Sequence, residues 1–197
     1  MSDQKRSYQM RRRAELEELT RLRITESAVA LHEHLGPART SVSAIAERAG
    51  VRRSTVYRHF PNEEALFAAC SSHWASLHPP PDPSAWSEVA DPDERLRRAL
   101  GDVYAWYAHN ERMLANVRRD RPLVPALRAP AKASEAYFEL AGDALAHGRP
   151  ERGARRRRAR AAIAHALAFE TWRSLVRNQG LDAAEAVELM TGLVTAA

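Results

Sequence analysis

Cysteine occurs once, at Cys70, and lysine only at Lys5 and Lys132. A lone thiol closes no internal disulfide, which excludes a bridge-stabilised secreted mini-domain and points to a reducing cytoplasm. No uncharged apolar stretch approaches the ~20 residues that cross a bilayer. The N-terminal MSDQKRSYQMRRR has the charge of a signal peptide but not its apolar region. No membrane partner is therefore expected. Strand signals are missing too, because no run alternates Val, Ile, Thr and aromatic residues. Nor is there a G-x-S-x-G, a P-loop, a dinucleotide fingerprint or an H-E-x-x-H, so no enzyme activity and no cofactor are expected. His32 and His34 stand two apart and fall on different helix faces, and no Cys/His cluster has zinc spacing, so no metal site is expected.

What the chain does contain is enough apolar material for a core: 45% of its 197 residues are hydrophobic. A chain of this length buries roughly two-thirds of its unfolded surface, which suffices without metal or disulfide. Ala, Leu, Arg and Glu dominate, and all favour helix. The fold class is all-α. Charge is unevenly placed. Residues 1–60 hold 12 Lys+Arg against 7 Asp+Glu, residues 61–150 hold 10 against 13, and residues 151–197 hold 8 against 5. A basic head on a mildly acidic middle suits a nucleic-acid-binding head joined to a differently employed body. Arginine-rich composition throughout is the plainer reading of the same numbers.

From about Glu15, Ile24, Ala28, Leu31 and Leu35 recur at helical spacing until Gly36-Pro37 ends the helix. Ser41 offers an N-cap before Val42, Ile45, Ala46 and Ala49, and Gly50 supplies the sharp turn after them. A third short helix follows to about Phe60. Asn62 caps a fourth, with Glu63 and Glu64 in its first turn. His78-Pro-Pro-Pro-Asp-Pro marks the boundary between head and body. The expected division is a basic arm over 1–20, a head over 21–77 and a body over 78–197. In the body, Asp91-Pro92 starts a helix that breaks near Asn110-Glu111, and Gly148, Pro150 and Gly153 end a later one. The last two helices run from about Ala154 to Asn178 and from Asp182 to near Thr195, making about nine in all.

Two short helices joined at Gly50 have helix-turn-helix geometry. Val56 and Phe60 share the inward face of the second, which leaves Arg52, Arg53, Ser54, Thr55, Arg58 and His59 on or near the outside. Arg bonds guanine O6 and N7 in a fork, and Ser, Thr, Tyr and His donate to phosphate. A hairpin with a solvated basic face is the competing reading. The run from Thr40 to Phe67 resembles the DNA-binding domain of TetR-type transcriptional regulators (TetR/AcrR), through Ile45-Ala46, Ala49-Gly50-Val51, Thr55, Tyr57, His59-Phe60 and Ala65-Leu66-Phe67. The resemblance covers about residues 20–74. It implies that Arg52, Arg53 and Ser54 approach bases. Thr55, Tyr57 and His59 would contact phosphate or hold the recognition helix, and Ser41 would cap its helix and reach the backbone; Arg58 is a DNA-binding candidate by its place on the outward face. The family commonly has Lys where Glu63 stands, and a carboxylate makes no phosphate contact. The arm carrying Lys5, Arg6, Arg11, Arg12 and Arg13 would follow a neighbouring minor groove or serve as a solvated tail.

In the last helix Val187, Met190 and Val194 recur at helical spacing, and in the one before it Phe169, Trp172 and Val176. These faces would form a four-helix dimer interface or an internal core, and the resemblance implies a C2 homodimer reading a pseudo-palindromic double-stranded DNA operator. It also implies a small-molecule effector pocket among Tyr104, Tyr107, Met113, Phe138, His165, Phe169 and Trp172, side chains that are equally good as packing. The expected function is thus a cytoplasmic, ligand-responsive transcriptional repressor acting as a homodimer. The alternative, motivated by Glu63, is a small-molecule-binding or sequestering helical protein whose head no longer reads DNA.

Overall fold

The computed structural model describes residues 2–197, with side chains from Arg6 onward, so the Lys5 side chain lies outside the described residues. Among the described residues there is no strand. Ten α-helices follow one another: α1 (Ser2–Leu35), α2 (Val42–Arg48), α3 (Arg53–His59), α4 (Glu63–Leu77), α5 (Pro83–Trp86), α6 (Pro92–Asp120), α7 (Arg128–Ala146), α8 (Gly153–Ala166), α9 (Phe169–Arg173) and α10 (Ala183–Ala196). The described residues divide into two compact units, the first comprising residues 2–78 and 112–130, the second residues 79–111 and 131–197.

In the first unit Ile24 and Ala28 of α1 pack with Ile45, Ala46 and Ala49, with Val56 and Phe60, and with Leu66 and Cys70 of α4. The caps are local and legible: Ser41 Oγ accepts from Ala44 N at 3.1 Å and Asn62 Oδ1 from Ala65 N at 2.8 Å. Gly50 turns the chain with φ +62°, a conformation that costs side-chain-bearing residues energy. Burial pushes the Cys70 thiol up to about 12, so it is a packing group and not a reactive thiolate.

The C-terminal end of α6 and the segment after it belong with the first unit, which no boundary signal anticipated. Asp120 is buried and its carboxylate accepts from Ala38 N at 3.0 Å, while Arg119 donates to that carboxylate and to Leu35 O at 3.1 Å. The Arg119 hydrogen bond holds the Asp120 carboxyl below the usual range. Beside it His32 is buried, its ring stacked on Phe67 at 4.9 Å. Burial lowers His32 from 6.5 to about 4, partly offset by the Asp120 charge. An unfolded chain thus binds a proton at His32 between pH 6.5 and 4 that the folded unit refuses. Stability falls as pH drops through that window, by about 3 kcal/mol in all, and is flat below it with respect to this group. His32→Phe is expected to remove that slope. Urea midpoints at about pH 7 and about pH 4.5, which bracket most of the window, check this: equal pH sensitivity in wild type and variant would assign the acid lability elsewhere.

Three expected boundaries shift. The first helix begins at Ser2 and not near Glu15, so residues 2–20 of the expected arm are the N-terminal part of α1. Helix α6 passes through Asn110-Glu111 unbroken, and the buried Asn110 amide finds its partner inside the helix, donating to Trp106 O at 2.8 Å. The helix expected over 154–178 is instead divided. α8 stops at Ala166, α9 starts at Phe169, and residues 174–178 form a π-helical turn. The carbonyls at that break are satisfied from α6: Tyr104 donates its hydroxyl to Ala166 O at 2.9 Å and Tyr107 to Leu167 O at 2.5 Å.

Candidate nucleic-acid interface

The seven residues of α3 are placed by one buried contact row. Val56 and Phe60 are buried against α1 and α2, which turns Arg52, Arg53, Ser54, Tyr57 and Arg58 outward into solvent. Thr55 and His59 lie half-buried at the edge of that face. On the outer face Arg53 donates to Tyr57 Oη at 3.1 Å, and its guanidinium stands 5.5 Å from the Tyr57 ring centroid. The pair restrains a long cationic side chain before any ligand is present, which reduces the ordering cost of a bidentate contact. Ser41 is exposed at the start of α2, with its hydroxyl engaged as the cap. Seven of the eight residues expected at this surface thus lie on α3 or at its N-cap, and the eighth, Ser41, caps the start of α2.

One residue of the arrangement gave no sequence signal. Arg21 of α1 donates to His59 O at 3.1 Å, and its guanidinium lies 4.5 Å over the Phe60 ring. It therefore ties α1 to the C-terminal end of α3. The partners are 38 residues apart, beyond any periodicity. The Nε2 of His59 is buried without a hydrogen-bond partner. Glu63 is exposed in the first turn of α4.

The second unit holds most of the expected effector residues as core. Tyr107 is fully buried with Tyr104, Phe169 and Trp172. Ring centroids lie 5.3 Å from Tyr107 to Phe169, 5.7 Å to Trp172 and 6.4 Å to Phe138. Met113 belongs to the first unit and not to this cluster, and His165 is exposed. Because the Tyr104 and Tyr107 hydroxyls are spent on the α8 break, these rings pack and brace backbone. A cleft of about 370 Å³ does open in this unit, between the 146–152 loop and α8, beside Arg149, Arg152, Arg156 and Arg160. None of the seven expected residues lines it.

The expected dimer face also turns inward. Phe169, Trp172, Val187, Met190 and Val194 are buried within the single chain, and Val176 is half-buried. Their periodicity marked an amphipathic face correctly, but the face is covered by the chain's own helices. On α10 it is Leu189 and Leu193 that stand out, 50% and 47% exposed. Among the described residues no group of three His, Cys, Asp or Glu side chains could hold a metal ion, and no helix is long and apolar enough to cross a membrane.

Residues 24–70 match the family described as bacterial regulatory proteins, tetR family. No curated protein matches the chain in sequence. Among solved structures, a TetR-like transcriptional regulator from Rhodococcus sp. RHA1 is similar with a TM-score of 0.62 at 18% identity, over 89% of this chain and 93% of that one. The fatty acid degradation regulator FadR from Bacillus halodurans is similar with a TM-score of 0.62 at 22% identity, over 88% and 93%. PfmR, a TetR family transcriptional regulator from Thermus thermophilus, is similar with a TM-score of 0.60 at 22% identity, over 87% and 96%. At such identities the likeness establishes a shared fold.

Proposed function

With residues 24–70 forming a domain of the tetR family of bacterial regulatory proteins, we propose that the chain is a transcriptional repressor that binds a pseudo-palindromic operator as a homodimer. The observation that carries this reading is the outer face of α3, where Arg52, Arg53, Ser54, Tyr57 and Arg58 are exposed on a helix held by Val56 and Phe60. A helix so placed enters the major groove with its cationic N-terminal end at the base edges. Arg53 reads guanine through its fork, and Tyr57 fixes that fork and reaches phosphate. Glu63 removes one cationic anchor without touching this face.

Two heads need a two-fold partner. The outer faces of α8 and α10 support one: Ala161, Ala164 and His165 lie on the outer side of α8, and Leu189, Gly192, Leu193 and Ala196 follow at i, i+3, i+4 and i+7 on α10. The small residues permit close helix approach and the leucines supply apolar area. A small-molecule effector lowers operator affinity only by binding the low-affinity conformation more tightly. The ring cluster around Tyr107, next to the broken helix of α8 and α9, supports such a response because its hydroxyl bonds to the break would transmit any re-packing of the rings to both helices.

The test is selection of random duplexes by the purified protein at about 150 mM salt, followed by titration of the winner. Two half-sites with centres about one helical turn apart are expected. Selection of no sequence would leave the small-molecule-binding alternative as the better reading. On the selected site Arg53→Ala is expected to cost about 1–3 kcal/mol and to relax preference at one base position. Uniform weakening across all sequences would instead make Arg53 a phosphate contact.

A further inference from the structure

The first helix extends well beyond Ile24 and Ala28, the residues that pack it into the head, and Arg21 ties it additionally to the C-terminal end of α3. Arg21 touches both His59 O and the Phe60 ring at the C-terminal end of α3. From Arg21 toward the N-terminus α1 continues without interruption to Ser2. At 1.5 Å per residue Arg13 lies about 12 Å and Arg6 about 22 Å beyond that anchor. Residues 6–14 contain four arginines and no carboxylate. All four arginines are exposed.

The direction of these side chains follows from helical rotation of about 100° per residue. Taking Arg21 as the side facing the recognition helix, Arg6 lies about 60° away, Arg13 about 80° on the same flank and Arg11 about 80° on the other. Arg12 points to the opposite side. A helix with side chains is about 10–12 Å across, so it does not enter a minor groove of about 6 Å. The minor-groove path expected for an extended arm is therefore replaced by contact along phosphates. The competing contact is the exposed pair of Arg13 with Glu17 at 3.2 Å, and a single exposed i,i+4 pair is weak.

We infer that the N-terminal part of α1 is a second DNA-contacting element, in which Arg6, Arg11 and Arg13 engage backbone phosphates flanking the half-site bound by α3. The inference rests on the regulator reading above. It extends the footprint of each head outward by up to roughly six base pairs at about 3.4 Å per step. It adds affinity and salt dependence but no base preference, because phosphates carry no sequence.

The experiment compares wild type, the triple variant Arg6→Ala/Arg11→Ala/Arg13→Ala and the single variant Arg12→Ala on the selected operator, in long and flank-trimmed duplexes over a salt series. Alanine keeps the helix, which circular dichroism verifies. Each lost phosphate contact lowers the slope of log K against log salt by about 0.9. Three arginines in each of two subunits therefore lower it by about 5. Arg12→Ala is expected to leave the slope within experimental error, and trimming the flanks is expected to weaken wild type but not the triple variant. An unchanged slope in the triple variant, with the operator still selected, would overturn this inference alone. An effect of Arg12→Ala as large as one third of the triple's would overturn the facing argument and reduce the arm to diffuse charge. Failure of wild type to select any operator would overturn both the inference and the reading beneath it.

Discussion

Replacing Gly36 by alanine is expected to destabilise the first unit by roughly 3–5 kcal/mol. Gly36 adopts φ +95° and ψ 154°, a region that belongs almost solely to glycine. The space is closed as well. A Cβ built there would overlap the Arg119 guanidinium and the Asp120 carboxylate. Those two groups cannot retreat cheaply, since Asp120 accepts from Ala38 N and Arg119 donates to Leu35 O. Displacing them leaves a buried carboxylate without its partner, which is the costly way to break an ion pair. The urea midpoint of Gly36→Ala against wild type measures the loss. A change below about 1 kcal/mol would mean that the clamp yields and that residues 112–130 are held to the head by other contacts.

The double variant Leu189→Arg/Leu193→Arg is expected to be monomeric and to lose at least about 100-fold in operator affinity, since a single head forgoes the effective concentration of its tethered twin. Both side chains are exposed on α10, so the exchange leaves the protomer folded. In the proposed dimer it places two cations in each copy of the α10 face, where a two-fold axis would set like charges against like. Sedimentation equilibrium and operator titration together decide it. A dimer that survives the exchange would move the interface off α10. A monomer that keeps wild-type affinity would mean that one head suffices for the site.

The head was readable because its determinants are short-range. Ser41 and Asn62 cap three residues on, Gly50 turns in place, and the row Ile45, Ala46, Val56, Phe60 follows from helical periodicity. Tyr57 was recognisable too, although its bond to Arg53 needed the rotamers. The body was harder. Periodicity shows that α10 has an apolar side but not what covers it, and Val187, Met190 and Val194 are covered by their own chain. The aromatic residues of α6 were visible as a group. Their hydroxyls' partners, the carbonyls of Ala166 and Leu167, lie about sixty residues away, and nothing local announces that a helix will break where another helix can satisfy it.

Residue pattern alone therefore carried the helical class, the helix-turn-helix and its outward cations, because each depends on neighbours within a turn or two of the same chain. Three-dimensional packing settled the rest. It returned Arg119 and Asp120 to Gly36, seated Arg21 on the end of α3, and turned one apolar face of α10 inward while leaving Leu189 and Leu193 outside. Each of these depends on which distant surface packs against a given side chain and excludes water from it. Burial of that kind is a property of the assembled core and not of any single helix.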